Sequence, residues 1–232
     1  MKTDMYLIGI NRITSFKGIL KELKILDTNL QSAHLPQFQL FNSAYLVVTN
    51  HIYEAANNNY FNNPKFIEKF TVTFASYYFK AVNDTLKASD DLNISWVKLN
   101  QLDLSSAPVF VSLLMGANAH INNDLPRVLL RLMETEDTED LFSDLRRIDK
   151  LLMKSGKEII ELFVEPNKTL NVLKRRFKFV YYRPTMYMLL FWRVIAWRNY
   201  RKIKKNNATL TRINERSIKI ANRLLRLANV LV

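Results

Sequence analysis

Apolar residues recur three and four positions apart along almost the whole chain, the spacing that gathers them on one face of an α-helix. Phe16, Ile19, Leu20, Leu23, Leu26 and Leu30 form such a stripe on a first helix. Pro36 suits the first turn of a second helix, Gln37 to Asn58, where its missing N–H is not needed. The run Asn57-Asn58-Asn59 favours a turn there. Pro64 opens a third helix, Lys65 to Ala88, with Phe66, Phe70, Phe74, Tyr77, Tyr78 and Ala81 inward and Phe79 as a further aromatic. Ser89 to Asn93 reads as a polar linker, and Ser95 as the N-cap of a short helix over Trp96 to Leu102. Ser105 or Ser106, with Pro108 just inside, starts an almost wholly apolar helix from Val109 to Asn122, which belongs at the centre of the fold.

Proline disfavours helical geometry in the residue before it, so Pro126 predicts a kink or short break at Asp124–Leu125 before helix resumes over Arg127 to Met133. Thr138 is placed to cap a helix over Leu141 to Val164, and Pro166 marks the next break. Leu170 to Tyr182 and Thr185 to Lys205 are expected as two helices divided by Arg183–Pro184. After a turn at Asn206–Asn207 the last helix, Thr209 to Leu231, is amphipathic. Leu210, Ile213, Ser217, Ile220, Leu224, Leu227 and Leu231 share one face, and Arg212, Arg216, Lys219, Arg223 and Arg226 the other. Only Met5 to Ile10 has strand character, and it lacks a partner. The expectation is an all-α fold: a single compact multi-helix domain over residues 1–232 with a kinked central helix.

Composition narrows the chemistry. Among 232 residues there are 4 Gly, 6 Pro and no Cys. So few turn residues argue against a β-sandwich or a dinucleotide fold, and the lack of cysteine excludes disulfides and thiolate chemistry. Neither a Gly-rich phosphate loop nor a G-x-S-x-G or H-E-x-x-H motif is present. The acidic run Glu134 to Asp140 lacks the spacing and glycine of a calcium loop and reads as solvated. The start of the chain lacks a long apolar segment and a small-residue cleavage site, so no signal peptide is expected. The most apolar stretch, Phe177 to Trp197, is interrupted by Lys178, Arg183, Pro184 and Arg193, which argues against a transmembrane span. A cytoplasmic protein, with peripheral membrane attachment as the variant, is the resulting expectation.

Charge divides the chain. Residues 1–149 hold 14 Lys and Arg against 17 Asp and Glu, a net of −3, and residues 150–232 hold 20 against 4, a net of +16. The excess that gives +13 overall therefore lies in the last third. Within it, Lys174 to Lys205 interleaves Tyr181, Tyr182, Tyr187, Phe191, Trp192, Trp197 and Tyr200 with basic residues. Residues 174–226 are thus a candidate surface for an anionic membrane or nucleic acid. The competing explanation is that the aromatics are core and the cations a solvated helix end.

Candidate chemistry concentrates where the apolar helix turns polar, at Met115-Gly116-Ala117-Asn118-Ala119-His120-Ile121-Asn122-Asn123-Asp124-Leu125-Pro126. Unpaired polar groups in such a helix cost about 1–3 kcal/mol each, so they are either paired or functional. His120 and Asp124 stand at i, i+4 on one face, as do Asn118 and Asn122 on another. A second pair, His51 and Glu54 at i, i+3, lies on the second helix. Three explanations follow. The box is a satisfied hydrogen-bond network; or it is a catalytic or small-molecule pocket with His120 as general base, Asp124 orienting it, and Asn118 and Asn122 holding substrate oxygens; or His51, Glu54, His120 and Asp124 bind a divalent metal. His34 reads as a loop histidine.

The box also resembles a known signature. Asn118-Ala119-His120-Ile121-Asn122-x-Asp124-Leu125-Pro126, preceded by Gly116 and an apolar helix, is similar to that of an uncharacterised family of bacterial and fungal helical proteins, a domain of unknown function. Asn62 to Phe70, Phe74-Ala75-x-x-Tyr78-Phe79-x-Ala81, Trp96 and Trp192-Arg193-x-x-Ala196-Trp197 fit its pattern, so the resemblance spans Leu40 to Trp197. It implies a helical fold, supports the box as the site and implies no activity. Two functions stand against each other: an enzyme or small-molecule binder centred on His120, and a non-catalytic interaction protein working through its basic C-terminal third.

Overall fold

The structure is a computed structural model that describes residues 7–33, 35–104, 109–133, 138–164, 171–206 and 209–230, with the backbone alone for 31, 109, 138–140, 160, 163–164, 171–182, 209 and 228–230. His34, Ser105, Ser106, Pro108, Pro166 and Leu231 lie outside the described residues, as do Met5, Tyr6, residues 134–137 of the acidic run, and Asn207. The fold is all-α, with no strand among the described residues.

The starts of the first and third helices have side-chain acceptors for their free N–H groups, and the second and third helices open on a proline that lacks one. In α1 (Phe16–Ser32) the Ser15 hydroxyl accepts from Gly18 N–H at 3.2 Å, and Glu68 reaches across from α3 to accept from Phe16 N–H at 2.9 Å. Pro36 and Pro64 sit in the first turns of α2 (Pro36–Asn57) and α3 (Pro64–Leu86), and the Asn63 side chain accepts from Phe66 N–H at 3.0 Å. The predicted stripes are buried: all six residues on α1, and Phe66, Phe70, Phe74, Tyr78 and Ala81 on α3, with Tyr77 half-buried.

In α4 (Ile94–Asn100) the expected cap moves. Asn93, not Ser95, accepts the capping bond, from Ser95 N–H at 3.0 Å. Ser95 is inside the helix and fully buried, and its hydroxyl donates to that of Ser217 at 2.8 Å.

The expected kink takes a particular form. α5 (Val109–Ala117) passes into a π-helix over Asn118–Asp124, which passes directly into α6 (Leu125–Leu132). Pro126 has no N–H to offer an α-helical ladder and its ring crowds the carbonyl four residues back. Widening the turn relieves both, and the Leu125 N–H reaches back five residues to the His120 carbonyl. All seven residues of the π-helix are buried.

α7 (Thr138–Val164) is followed by α8 (Asn171–Lys205), and here the sequence expectation fails. One continuous helix carries Pro184 inside it, in place of two helices parted at Arg183–Pro184. Pro184 and Arg183 are exposed, so water can serve the backbone groups the proline frees. In α9 (Thr209–Val230) Ile213, Ser217, Ala221 and Leu224 face inward, while Leu227 is exposed, so the buried face is narrower than the predicted stripe.

The π-helix lies at the centre. It touches α3 and α4 on one side and α8 and α9 on another, while α2 packs along α1, α5 and α7. Gly116 makes the α2–α5 contact close: a Cβ there would stand 2.6 Å from the Phe41 ring. No described helix is long and apolar enough to cross a membrane.

Candidate functional site

His120 is 2% exposed and enclosed by rings from three helices. Phe74 of α3 stacks on it, planes 5° apart and centroids 3.6 Å apart. Tyr45 and Phe41 of α2 meet it nearly edge-on at 4.9 and 5.6 Å, with Tyr78 of α3 and Trp96 of α4 at 6.2 Å each. The aromatic stripes of α2 and α3 thus converge on one imidazole.

One nitrogen of that ring is fixed. Nδ1 lies 3.2 Å from Asp124 Oδ2, as the i, i+4 spacing requires. The carboxylate is itself held in place: Trp96 Nε1 donates to Oδ2 at 3.2 Å and the Asn123 amide to Oδ1 at 2.7 Å. With Asp124 accepting, the proton of a neutral imidazole sits on Nδ1 and Nε2 carries a lone pair. Nε2 has no hydrogen-bond partner among the described residues, nor has the hydroxyl of Tyr45, whose ring meets the imidazole.

The electrostatics keep the ring neutral. Burial lowers the His120 pKa below the ordinary histidine value; the bond to Asp124 and its charge oppose this, and the Arg193 charge adds to the lowering. Burial, followed by the charge of Asp124, drives the Tyr45 phenol well above its usual value, so its proton stays in place. Arg193 of α8 is 4% exposed; its Nε donates to Asp149 of α7, and Nη2 has no partner among the described residues.

Asn118 and Asn122 point to the opposite side. Asn118 donates to the Ser217 carbonyl on α9 at 2.9 Å, and Asn122 donates to Asn118 Oδ1 at 3.1 Å. Asn123 Oδ1 accepts from Asn93 at 3.3 Å and from Arg127 at 3.4 Å, and Arg127 also donates to Asn214 at 2.7 Å. These bonds pin the π-helix to α4 and α9. The box therefore has two faces: Asn118 and Asn123 fasten helices and Asn122 braces Asn118, its own Oδ1 without a partner among the described residues, while His120 and Asp124 face the aromatic rings.

The two-helix metal arrangement is not assembled. His51 stands 2.9 Å from Glu158 of α7 and is partly exposed, and Glu54 accepts from Asn50 at 2.8 Å on the surface. Among the described residues no three His, Asp or Glu come together in a way that could hold a metal ion. The reason is register: on α2 the chamber-facing positions are Phe41, Tyr45 and buried Thr49, so His51 and Glu54 fall on other sides of the helix.

Phe41, Tyr45, Trp96 and Arg193 escaped the sequence reading of the site. Tyr45 sits i+4 from Phe41, and neither was singled out from the sequence. Trp96 was visible only through the resemblance. Arg193 was visible as the one cation amid Leu189 to Trp197, a signal used against a transmembrane span and as part of the resemblance.

The residue pattern of a family of unknown function (DUF5995) matches residues 17–231, and the chain belongs to that family. The match extends at both ends beyond the segment Leu40 to Trp197. No curated protein and no solved structure matches the chain.

Proposed function

We propose that this member of a family of unknown function binds and acts on a small polar molecule at His120. The imidazole serves as a neutral general base or hydrogen-bond acceptor through Nε2, and Asp124 positions it. One observation carries this: His120 Nε2 and the hydroxyl of Tyr45, whose ring meets the imidazole, are both buried and have no protein partner among the described residues, although the other ring nitrogen is carefully held. Each such orphan costs about 1–3 kcal/mol, which an apolar ring at either position would avoid. An imidazole oriented by a carboxylate, with its far nitrogen free, is the arrangement acid–base catalysis requires. The Tyr45 phenol, held protonated, would donate to a ligand oxygen while Nε2 accepts a proton or hydrogen bond from the same molecule. Asn118, bonded to α9, and Asn122, bonded to Asn118, hold the π-helix in this reading and leave the substrate-facing role to Tyr45.

Native mass spectrometry of gently purified protein tests the proposal. Wild type is expected to carry a small added mass that His120→Phe lacks. The bare chain mass in both proteins, together with no thermal shift from any compound of a small polar-ligand library, would refute it.

A further inference from the structure

α8 presents an outward face that its inward packing does not explain. Met186, Leu189, Trp192, Ala196, Tyr200 and Ile203 are buried. On the other side Tyr187 is 61% exposed, Phe191 58% and Val194 45%. Their spacing, i, i+4 and i+7, sets the three on one stripe. Arg183 precedes them and Arg198 and Lys202 follow on the same side, all exposed, so the face reads basic, apolar, basic over about 28 Å. Between residues 171 and 205 the chain has no Asp or Glu.

We propose that this face docks onto an anionic membrane surface, with Tyr187, Phe191 and Val194 entering the headgroup boundary and Arg183, Arg198 and Lys202 pairing with acidic lipid headgroups. Charge complementarity and the order of residue types identify the occupant. An interfacial helix needs an apolar strip parallel to the surface with cations beside it, and each cation is drawn to the acidic lipid surface. A duplex nucleic acid would meet the same cations, but a convex stripe of Phe and Val offers its phosphates nothing. The apolar strip is short, so neither it nor the charges alone hold the protein; both signals are required. The helix lies on the membrane rather than across it, because its other face is core.

Co-sedimentation with vesicles tests this. Full-length protein is expected to bind vesicles containing about 30% phosphatidylglycerol in phosphatidylcholine at low salt, and not phosphatidylcholine alone. The double variant Tyr187→Ser, Phe191→Ser should lose roughly tenfold or more of that binding, since these mostly exposed rings carry the apolar insertion. Arg198→Glu should lose more than Arg216→Glu, which removes the same charge from the exposed face of α9. Circular dichroism melts confirm that each variant stays folded. No vesicle binding at low salt would overturn the proposal. So would equal losses from Arg198→Glu and Arg216→Glu with no effect of the serine pair, or binding to duplex DNA without binding to vesicles.

Discussion

His120 lies face to face with Phe74, the two rings 3.6 Å apart and within 5° of parallel, deep in a helix that a proline has forced to widen. The contact places an ionisable ring where charge is costly, with Asp124 the one group among the described residues that is hydrogen-bonded to it.

That placement fixes a pH dependence. The folded pKa of His120 is lowered, chiefly by burial, below the value near 6.5 that the unfolded chain would show. Above that value both states are neutral at this site and the full stability is present. As pH falls below it the unfolded chain takes up the proton first, so stability is lost, by at most about 1.4 kcal/mol per pH unit from this group. Urea unfolding at pH 7.5 and pH 5.5 should show a larger acid loss for wild type than for His120→Phe. An equal loss in both would mean that other groups govern the acid limb.

Gly116 is the second point of leverage. An added methyl would press into Phe41, which lines the His120 chamber, at 2.6–2.8 Å. Gly116→Ala should cost about 1–3 kcal/mol through overpacking. A thermal melt should read this as a fall of roughly 2–4 °C per kcal/mol. An unchanged melting temperature would mean that α2 and α5 separate easily.

Asp144 on α7 is a further anchor, remote from the chamber. It is fully buried and accepts from the Asn62 and Asn63 N–H groups at 2.8 and 2.7 Å and from Arg147 at 2.9 Å. It thereby holds the turn that starts α3, the helix that carries Phe74 and Tyr78. Asp144→Ala should destabilise by about 2–4 kcal/mol, because buried donors lose their acceptor, and Asp144→Asn by less. Chemical denaturation of both variants gives the order; equal and small losses would contradict the anchoring role.

The helices were legible because each carries a strong period and most carry their own punctuation: Pro36 and Pro64 act locally, and what acts locally can be read locally. Pro184 could not be read this way. Its rule says break, and tertiary packing of α8 overrides it, with the proline on the exposed side. The His120–Asp124 pair was legible from i, i+4 spacing alone. The rest of the chamber was not, since Tyr45 and Trp96 reach His120 from 75 and 24 residues away and nothing in their neighbourhoods marks them out. His51 failed for a related reason: sequence gives the spacing within α2 but not which side of it faces the centre, and His51 turns to Glu158.

The central claim is that the His120 imidazole is kept for a ligand and not for the fold. Its most direct test is denaturant unfolding of ligand-free wild type and His120→Phe at pH 7.5. A phenyl ring keeps the stack on Phe74, abolishes the orphaned Nε2 and gives up the bond to Asp124. The account predicts a variant within about 1 kcal/mol of wild type, or more stable, because a buried polar atom without a partner is removed. A loss well beyond about 2 kcal/mol would contradict it and make His120 a structural member of the core.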